Sequence, residues 1–369
     1  MTDPWSEIHV PAGGLPMFNP DMDLLLEFGA PVLPFFKDPR NTSICINRFD
    51  TIFVRQEGKF VRTDARFESE RMLVNFIKQV ARSLGQDADA TMQPIIDARM
   101  PDGSRVNAVL YPVAPLGANM TIRLFPKVRY SVEDLLRKGM FSAEMLAFLK
   151  AAVAMRATSL IGGASGSGKT TLLNALGNLV PKEERIAVLE DTAELNIDRP
   201  NVVSGEAAKR AARDAPSITL QHLLVNLLRQ EADRAIIGEI REPSTATALQ
   251  VALNVGLEGT LSTLHATGDH GVLRRFETML LSNDTRIPYE VVRADIRECV
   301  QVVIYVERTP LHGQRVVQLS EMDERGELRR LFEWDYRAAR HVRVFDGEPL
   351  IFRKAAKYGI DPQSFFVEG

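Results

Sequence analysis

Residues 162–176 read GGASGSGKTTLLNAL, and within them Gly163, Gly168, Lys169 and Thr170 meet the spacing GxxxxGK[ST]. The residues just before, 158–161, are apolar and strand-like, and 170–180 carry a helical pattern. Glycines between a strand and a helix let the backbone curl so that its N–H groups point inward, and the helix N-terminus adds partial positive charge. Gly163, Ala164, Ser165, Gly166, Ser167, Gly168, Lys169, Thr170 and Thr171 are therefore expected to cradle the phosphates of a nucleotide. Lys169 is placed to reach the β- and γ-phosphates, and the Thr170 hydroxyl to ligate Mg²⁺.

Outward from the cradle, strand, loop and helix alternate. Residues 186–189 form a second strand, and 219–230 form a helix with Leu220, Leu223, Leu224, Leu227 and Leu228 on one face. A short buried strand follows at 235–238, then a helix that opens on Pro243, then a strand at 260–264. VQVVIYVERTPLHGQRVVQLSEM, 300–322, reads as two strands joined by a loop. Such alternation predicts an α/β domain with a mostly parallel sheet, placed at 142–335.

Upstream the pattern changes. Strand-like runs at 44–47, 51–55, 105–111 and 120–125 surround one amphipathic helix at 68–84, whose Leu73, Phe76, Ile77, Val80, Ala81 and Leu84 build an apolar stripe. This predicts a smaller α+β domain at 41–127. Residues 1–40 hold seven prolines, and Pro31 and Pro34 oppose a continuous helix through LLLEFGAPVLPFF. They read as an extended arm, either strapped to its own domain or docked on a neighbouring subunit or membrane-bound partner. The charged stretch at 128–141 is the expected linker, and 336–369 the expected C-terminal extension.

Composition narrows the function classes. The 369 residues are long enough for two domains, and 45% hydrophobic content excludes disorder as the whole answer. Lys and Arg number 45 against 48 Asp and Glu, so the basic excess of a dedicated nucleic-acid binder is absent. Cys45 and Cys299 lack metal-ligand spacing and are expected to be reduced and structural. The N-terminus carries Asp3, Glu7, Asp21, Asp23 and Glu27 where a secretory signal would need a basic start and an apolar run. The longest uncharged stretch, 106–122, is broken by Pro112, Pro115 and Gly117 and is not a membrane span.

Three further places carry chemistry. Glu190 and Asp191 follow the second strand of the α/β domain, where a parallel sheet delivers loops to its ligand edge and a carboxylate can hold a metal-bound water or activate the attacking one; Glu194 reads as ordinary surface. In ADRAIIGEIRE, 232–242, an acid closes a buried strand, but Gly238 stands where many P-loop enzymes have Asp, which leaves Glu239 for Mg²⁺ and its water shell. Arg241 either touches a phosphate or pairs with Glu239 or Glu242. His265 ends the strand of TLSTLHATG, so it is either a satisfied structural histidine or a group facing the nucleotide.

The order GASGSGKTT, VLEDTAEL, LLRQEADRAIIGEIREPSTATAL and GLEGTLSTLHA resembles the secretion, or traffic, ATPase superfamily of type II and type IV secretion systems, conjugation machines and type IV pili. Its four signatures are all here: Walker A, an aspartate box, a Walker B ending in Gly-Glu, and a histidine box. DARMPDGSRVNAVLYPVAPLGANMTIRLFPK, 97–127, resembles the N-terminal domain of the type IV secretion and conjugation branch. The resemblance implies a RecA-like P-loop domain and a homo-hexameric ring whose nucleotides lie between the two domains of each subunit. It implies ATP and Mg²⁺ as cofactors, membrane-embedded secretion subunits as partners, and a cytoplasmic place at the inner face of the membrane. Glu190 or Asp191 becomes the aspartate-box acid, Glu239 the Walker B acid and His265 the γ-phosphate sensor. One departure is that Gly256-Leu257 stands where the histidine box usually opens with Gly-His. By the family's pattern Arg105 and Arg123 face the nucleotide cleft, where a guanidinium offsets charge on the transferring phosphoryl group; the plain alternative is a structural ion pair.

The leading expectation is an ATP hydrolase that drives a type IV secretion or conjugation complex, with a pilus or tight-adherence motor second. A helicase-type motor shares the cradle but lacks its basic, aromatic-interleaved signal. A small-molecule kinase would leave the N-terminal domain unexplained, and a non-hydrolysing structural ring would not need the acids at 190, 191 and 239.

Overall fold

The computed structural model describes residues 29–56, 58–84, 86, 88–89, 91–100, 102–125, 130–207, 217–283 and 288–366, divided between two units, Met1–Val128 and Arg129–Gly369.

In the first unit a short helix α1 (Leu33–Lys37) precedes β1 (Asn41–Arg48), β2 (Thr51–Gln56), β3 (Lys59–Arg62), α2 (Glu70–Ser83), β4 (Ile95–Arg99), β5 (Arg105–Val109) and β6 (Asn119–Arg123). The strands form one antiparallel sheet in the order β3-β2-β1-β6-β5-β4. Alternate residues, among them Ile44, Ile46, Val106, Ala108, Met120 and Ile122, form the core with Leu73, Phe76, Ile77 and Val80 of α2. Ser69 caps α2 by accepting from the Met72 N–H. Most of the expected arm, residues 1–28, lies outside the described residues. Its last part is not extended: Val32 and Phe36 are buried in this core, and Pro34 sits in the first turn of α1, where its missing N–H has no partner to lose.

The second unit runs α3 (Val132–Arg137), α4 (Ala143–Ala154), β7 (Ser159–Gly162), α5 (Lys169–Gly177), β8 (Ile186–Glu190), β9 (Val202–Glu206), α6 (Leu220–Leu227), β10 (Arg234–Ile237), α7 (Pro243–Asn254), β11 (Leu261–Leu264), α8 (Asp269–Asn283), α9 (Tyr289–Cys299), β12 (Val302–Thr309), β13 (Gly313–Met322), β14 (Leu328–Asp335), β15 (Arg340–Arg343) and α10 (Ala355–Tyr358). Its sheet has the order β15-β14-β13-β12-β7-β11-β10-β8-β9. From β12 to β9 every pairing is parallel, and β13, β14 and β15 extend it antiparallel. β7, β8, β10 and β11 are buried at every position, as strands covered on both faces are. Their carboxyl ends deliver Gly162, Glu190, Ile237 and Leu264 to one edge, the ligand edge of an open α/β sheet.

Two expected boundaries are corrected. The stretch taken as a linker contains α3, closed by a reciprocal capping box between Ser131 and Asp134. Val132 and Leu135 enter the core while Glu133, Asp134 and Arg137 keep the other face wet, so the charge density marked an amphipathic turn. Residues 336–366 are no appendage either. β15 completes the sheet, and Ile351, Phe352 and Ala355 pack into the same core, with the Phe352 ring 6.3 Å from that of Phe148.

Candidate active site

The cradle is built by close approach of backbone. A Cβ on Gly163 would lie 2.4 Å from the Val306 carbonyl oxygen and 2.5 Å from Ser167 Oγ, distances no side chain tolerates. Gly168 enters α5 with φ +103°, a conformation that favours glycine. Lys169 is buried, and its Nζ donates to the carbonyls of Gly163 and Ala164 at 3.0 Å each. Burial pushes its pKa down, and the Glu239 carboxylate pulls it back in part.

Lys169 begins a chain of polar contacts along the sheet edge. His265 Nδ1 lies 3.4 Å from Lys169 Nζ. Because an ammonium only donates, Nδ1 is the accepting nitrogen and the ring proton sits on Nε2. His265 Nε2 in turn is 2.8 Å from Glu239 Oε1, close but outside hydrogen-bonding geometry. Glu239 Oε2 accepts from Arg241 Nε at 2.9 Å and Nη2 at 2.6 Å. Arg241 is thus paired with Glu239. Burial alone would lower the Arg241 pKa, but that hydrogen bond and the charges of Glu239, Asp191 and Glu194 raise it instead. Glu194, read as ordinary surface, thus contributes to this field.

The two acids after β8 separate. Glu190 is buried, and its carboxylate accepts from the N–H groups of Glu194 at 2.9 Å and Leu195 at 3.1 Å, folding the loop that follows. Asp191 is half-buried, and its charge reaches Arg241. Gly238 also finds its reason here: a Cβ at 238 would lie 2.9 Å from Glu190 Cγ. An aspartate at this place would press its Cβ against the Glu190 side chain, which would have to shift.

The fit to a nucleotide and Mg²⁺ rests on buried polar atoms that make no hydrogen bond. Ser167 Oγ is buried inside the cradle, and like Glu239 Oε1 it makes no hydrogen bond. Buried polar atoms of this kind normally have a partner, and a phosphate oxygen or a metal-bound water would supply one. Thr170 and Thr171 stand half-buried on the first turn of α5. Mg²⁺ is usually shared between one or two protein groups and phosphates, a demand that Thr170 and Glu239 can meet. The residues present therefore fit Mg-nucleotide.

Arg105 and Arg123 are direct cross-strand partners on β5 and β6 of the first unit, Arg105 half-buried and Arg123 exposed. Sequence reasoning missed Gln314. It stands at the start of β13, 148 residues from the cradle, donates from Nε2 to the Gly166 carbonyl at 3.2 Å, and lies 3.1 Å from where a Cβ on Gly168 would be. Only the pairing of β12 with both β7 and β13 brings it there.

With this geometry in place, the family described as Type II/IV secretion system protein matches residues 28–338. The chain belongs to that family. The RecA-like α/β fold, nucleotide use, ATP hydrolysis and association with a secretion system follow from membership. A probable conjugal transfer protein TrbB of Sinorhizobium fredii is 29% identical over 289 residues, covering 78% of this chain and 84% of its own length. Type IV secretion system protein VirB11 of Brucella abortus is 27% identical, covering 75% and 83%. An uncharacterized protein MJ0781 of Methanocaldococcus jannaschii is 39% identical over 194 residues, half of this chain, and the match spans only 26% of that protein. Among solved structures, the Legionella pneumophila ATPase DotB superposes with a TM-score of 0.55 at 19% identity, over 97% of this chain and 88% of that one, a likeness of fold.

Proposed function

We propose that this chain is the ATP hydrolase of a type IV secretion or conjugation machine, acting as a homo-hexameric ring at the cytoplasmic face of the membrane on membrane-embedded secretion subunits. The observation that carries the reading is the chain Lys169–His265–Glu239 along the edge where the glycine cradle opens. The relatives named for conjugal transfer and type IV secretion support the choice of machine. Among the described residues no helix is long and apolar enough to cross a membrane.

Mg²⁺, when bound, supplies positive charge against the developing charge of the transferring phosphoryl group. Thr170 would ligate it, and Glu239 would hold its water shell. Lys169 exchanges its two loop carbonyls for the β- and γ-phosphates. His265, between Lys169 and Glu239, reports whether a γ-phosphate is present. Glu239 orients the attacking water, Asp191 adds negative field on the Arg241 side, and Glu190 acts by holding its loop. Arg105 or Arg123 supplies the guanidinium that offsets phosphoryl charge. The test is capture of detergent-solubilised inner-membrane secretion subunits by a Glu239→Gln ring with ATP and with ADP. ATP-favoured capture is expected; equal recovery with both nucleotides would count against the reading.

A further inference from the structure

His265 is held from two sides. Toward the N-terminus it continues β11, whose Thr263 Oγ1 donates to the Gly238 carbonyl at 2.6 Å. Toward the C-terminus three residues lead to Asp269, and there the chain is tied down by strands far away in sequence. Asp269 is buried, 2% exposed. Its carboxylate accepts from Ser320 Oγ at 2.6 Å and from Arg330 Nε and Nη2 at 3.1 and 3.0 Å. Its own N–H is donated to Gln318 Oε1 at 2.8 Å. Beside it the Tyr305 hydroxyl is hydrogen-bonded to the backbone of Gly268. Groups on β12, β13 and β14 thus converge on Gly268 and Asp269.

An ordinary helix cap does not need this. A Ser or Asn would satisfy the first turn of α8 from the surface, whereas a buried carboxylate is tolerated only when paired and fully hydrogen-bonded, and well-packed apolar residues often serve stability equally well. The cost is borne at the segment that ties down the C-terminal side of His265, four residues away.

We propose that Asp269, locked by Arg330, Ser320 and Gln318, is the positioning residue that holds His265 in register with the catalytic edge. Displacement of a catalytic contact by about 1 Å costs on the order of 100-fold in rate, so loosening this lock lowers turnover without loosening nucleotide binding. The inference rests on the reading that His265 acts on the nucleotide, and the experiment separates the two. Phosphate release is measured for His265→Ala, Arg330→Met, Arg330→Lys and the double variant His265→Ala/Arg330→Met, with rates normalised to folded chain by circular dichroism.

Arg330→Met is expected to lower kcat roughly 10- to 100-fold with KM for ATP within about 3-fold, a loss confined to turnover. Arg330→Lys should recover part of the rate. Once His265 is gone, Arg330→Met should lower kcat no further, as expected for residues acting as a unit. The proposal fails if Arg330→Met multiplies the His265→Ala loss, or if kcat per folded chain stays at the wild-type value while only the melting temperature falls. A His265→Ala chain with wild-type kcat overturns the reading of the site itself. Gln318→Ala, which deletes one neutral hydrogen bond, carries the same cycle if Arg330→Met does not fold.

Discussion

Glu239 and His265 face each other at 2.8 Å across the ends of two adjacent parallel strands, and the carboxylate oxygen turned toward the ring has no hydrogen bond of its own.

Glu239→Gln keeps size and hydrogen-bonding capacity while removing the charge proposed to orient water and metal. Its kcat should fall about 100-fold or more, the scale of a lost acid–base group, while a fluorescent ATP analogue still binds. Fluorescence titration beside phosphate release checks this; unchanged kcat would remove Glu239 from the reaction.

Gly238→Asp restores the residue common at this position and should harm this chain. Its Cβ would meet Glu190 Cγ at 2.9 Å and set a second carboxylate beside a buried one. A loss of about 1–3 kcal/mol is expected from overpacking, read as a lower melting temperature, with partial recovery in Glu190→Ala/Gly238→Asp. A single variant as stable as wild type would contradict the account of Gly238.

Gln314→Ala removes a neutral hydrogen bond to the Gly166 carbonyl and packing on Gly168. About 1 kcal/mol, or roughly a 5-fold loss of ATP affinity, is the expected size, with kcat little changed. Isothermal titration with a non-hydrolysable analogue measures it.

The His341 pKa is lowered from 6.5 to about 4, chiefly by burial, with a hydrogen bond to the Val316 carbonyl opposing and the Arg315 charge adding to the shift. The folded state keeps this ring neutral while the unfolded chain protonates it. Stability is therefore full above about pH 6.5 and declines as pH falls toward 4. His341→Gln should flatten that decline in urea titrations across the window; an unchanged slope would point to another group.

The cradle, the order of β7, β8, β10 and β11, and the acids at their ends were legible because parallel strands buried on both faces are unbroken apolar runs and their carboxyl ends mark the ligand edge. α3 was missed since a helix of six residues shows too little periodicity to stand out from its charges. The role of Gly238 was hidden because its reason is the Glu190 side chain, which reaches it only through the pairing of β8 with β10. The Asp269 lock was hidden for the same cause: its partners at 318, 320 and 330 lie on β13 and β14, whose antiparallel pairing leaves no mark near residue 269.

That the 162–171 cradle serves ATP hydrolysis is tested by phosphate release with Mg²⁺ and ATP from the purified chain and from Lys169→Ala, both shown to be folded. Measurable turnover by the parent chain and its loss in the Lys169→Ala variant is the predicted result. Equal turnover by the two would contradict it.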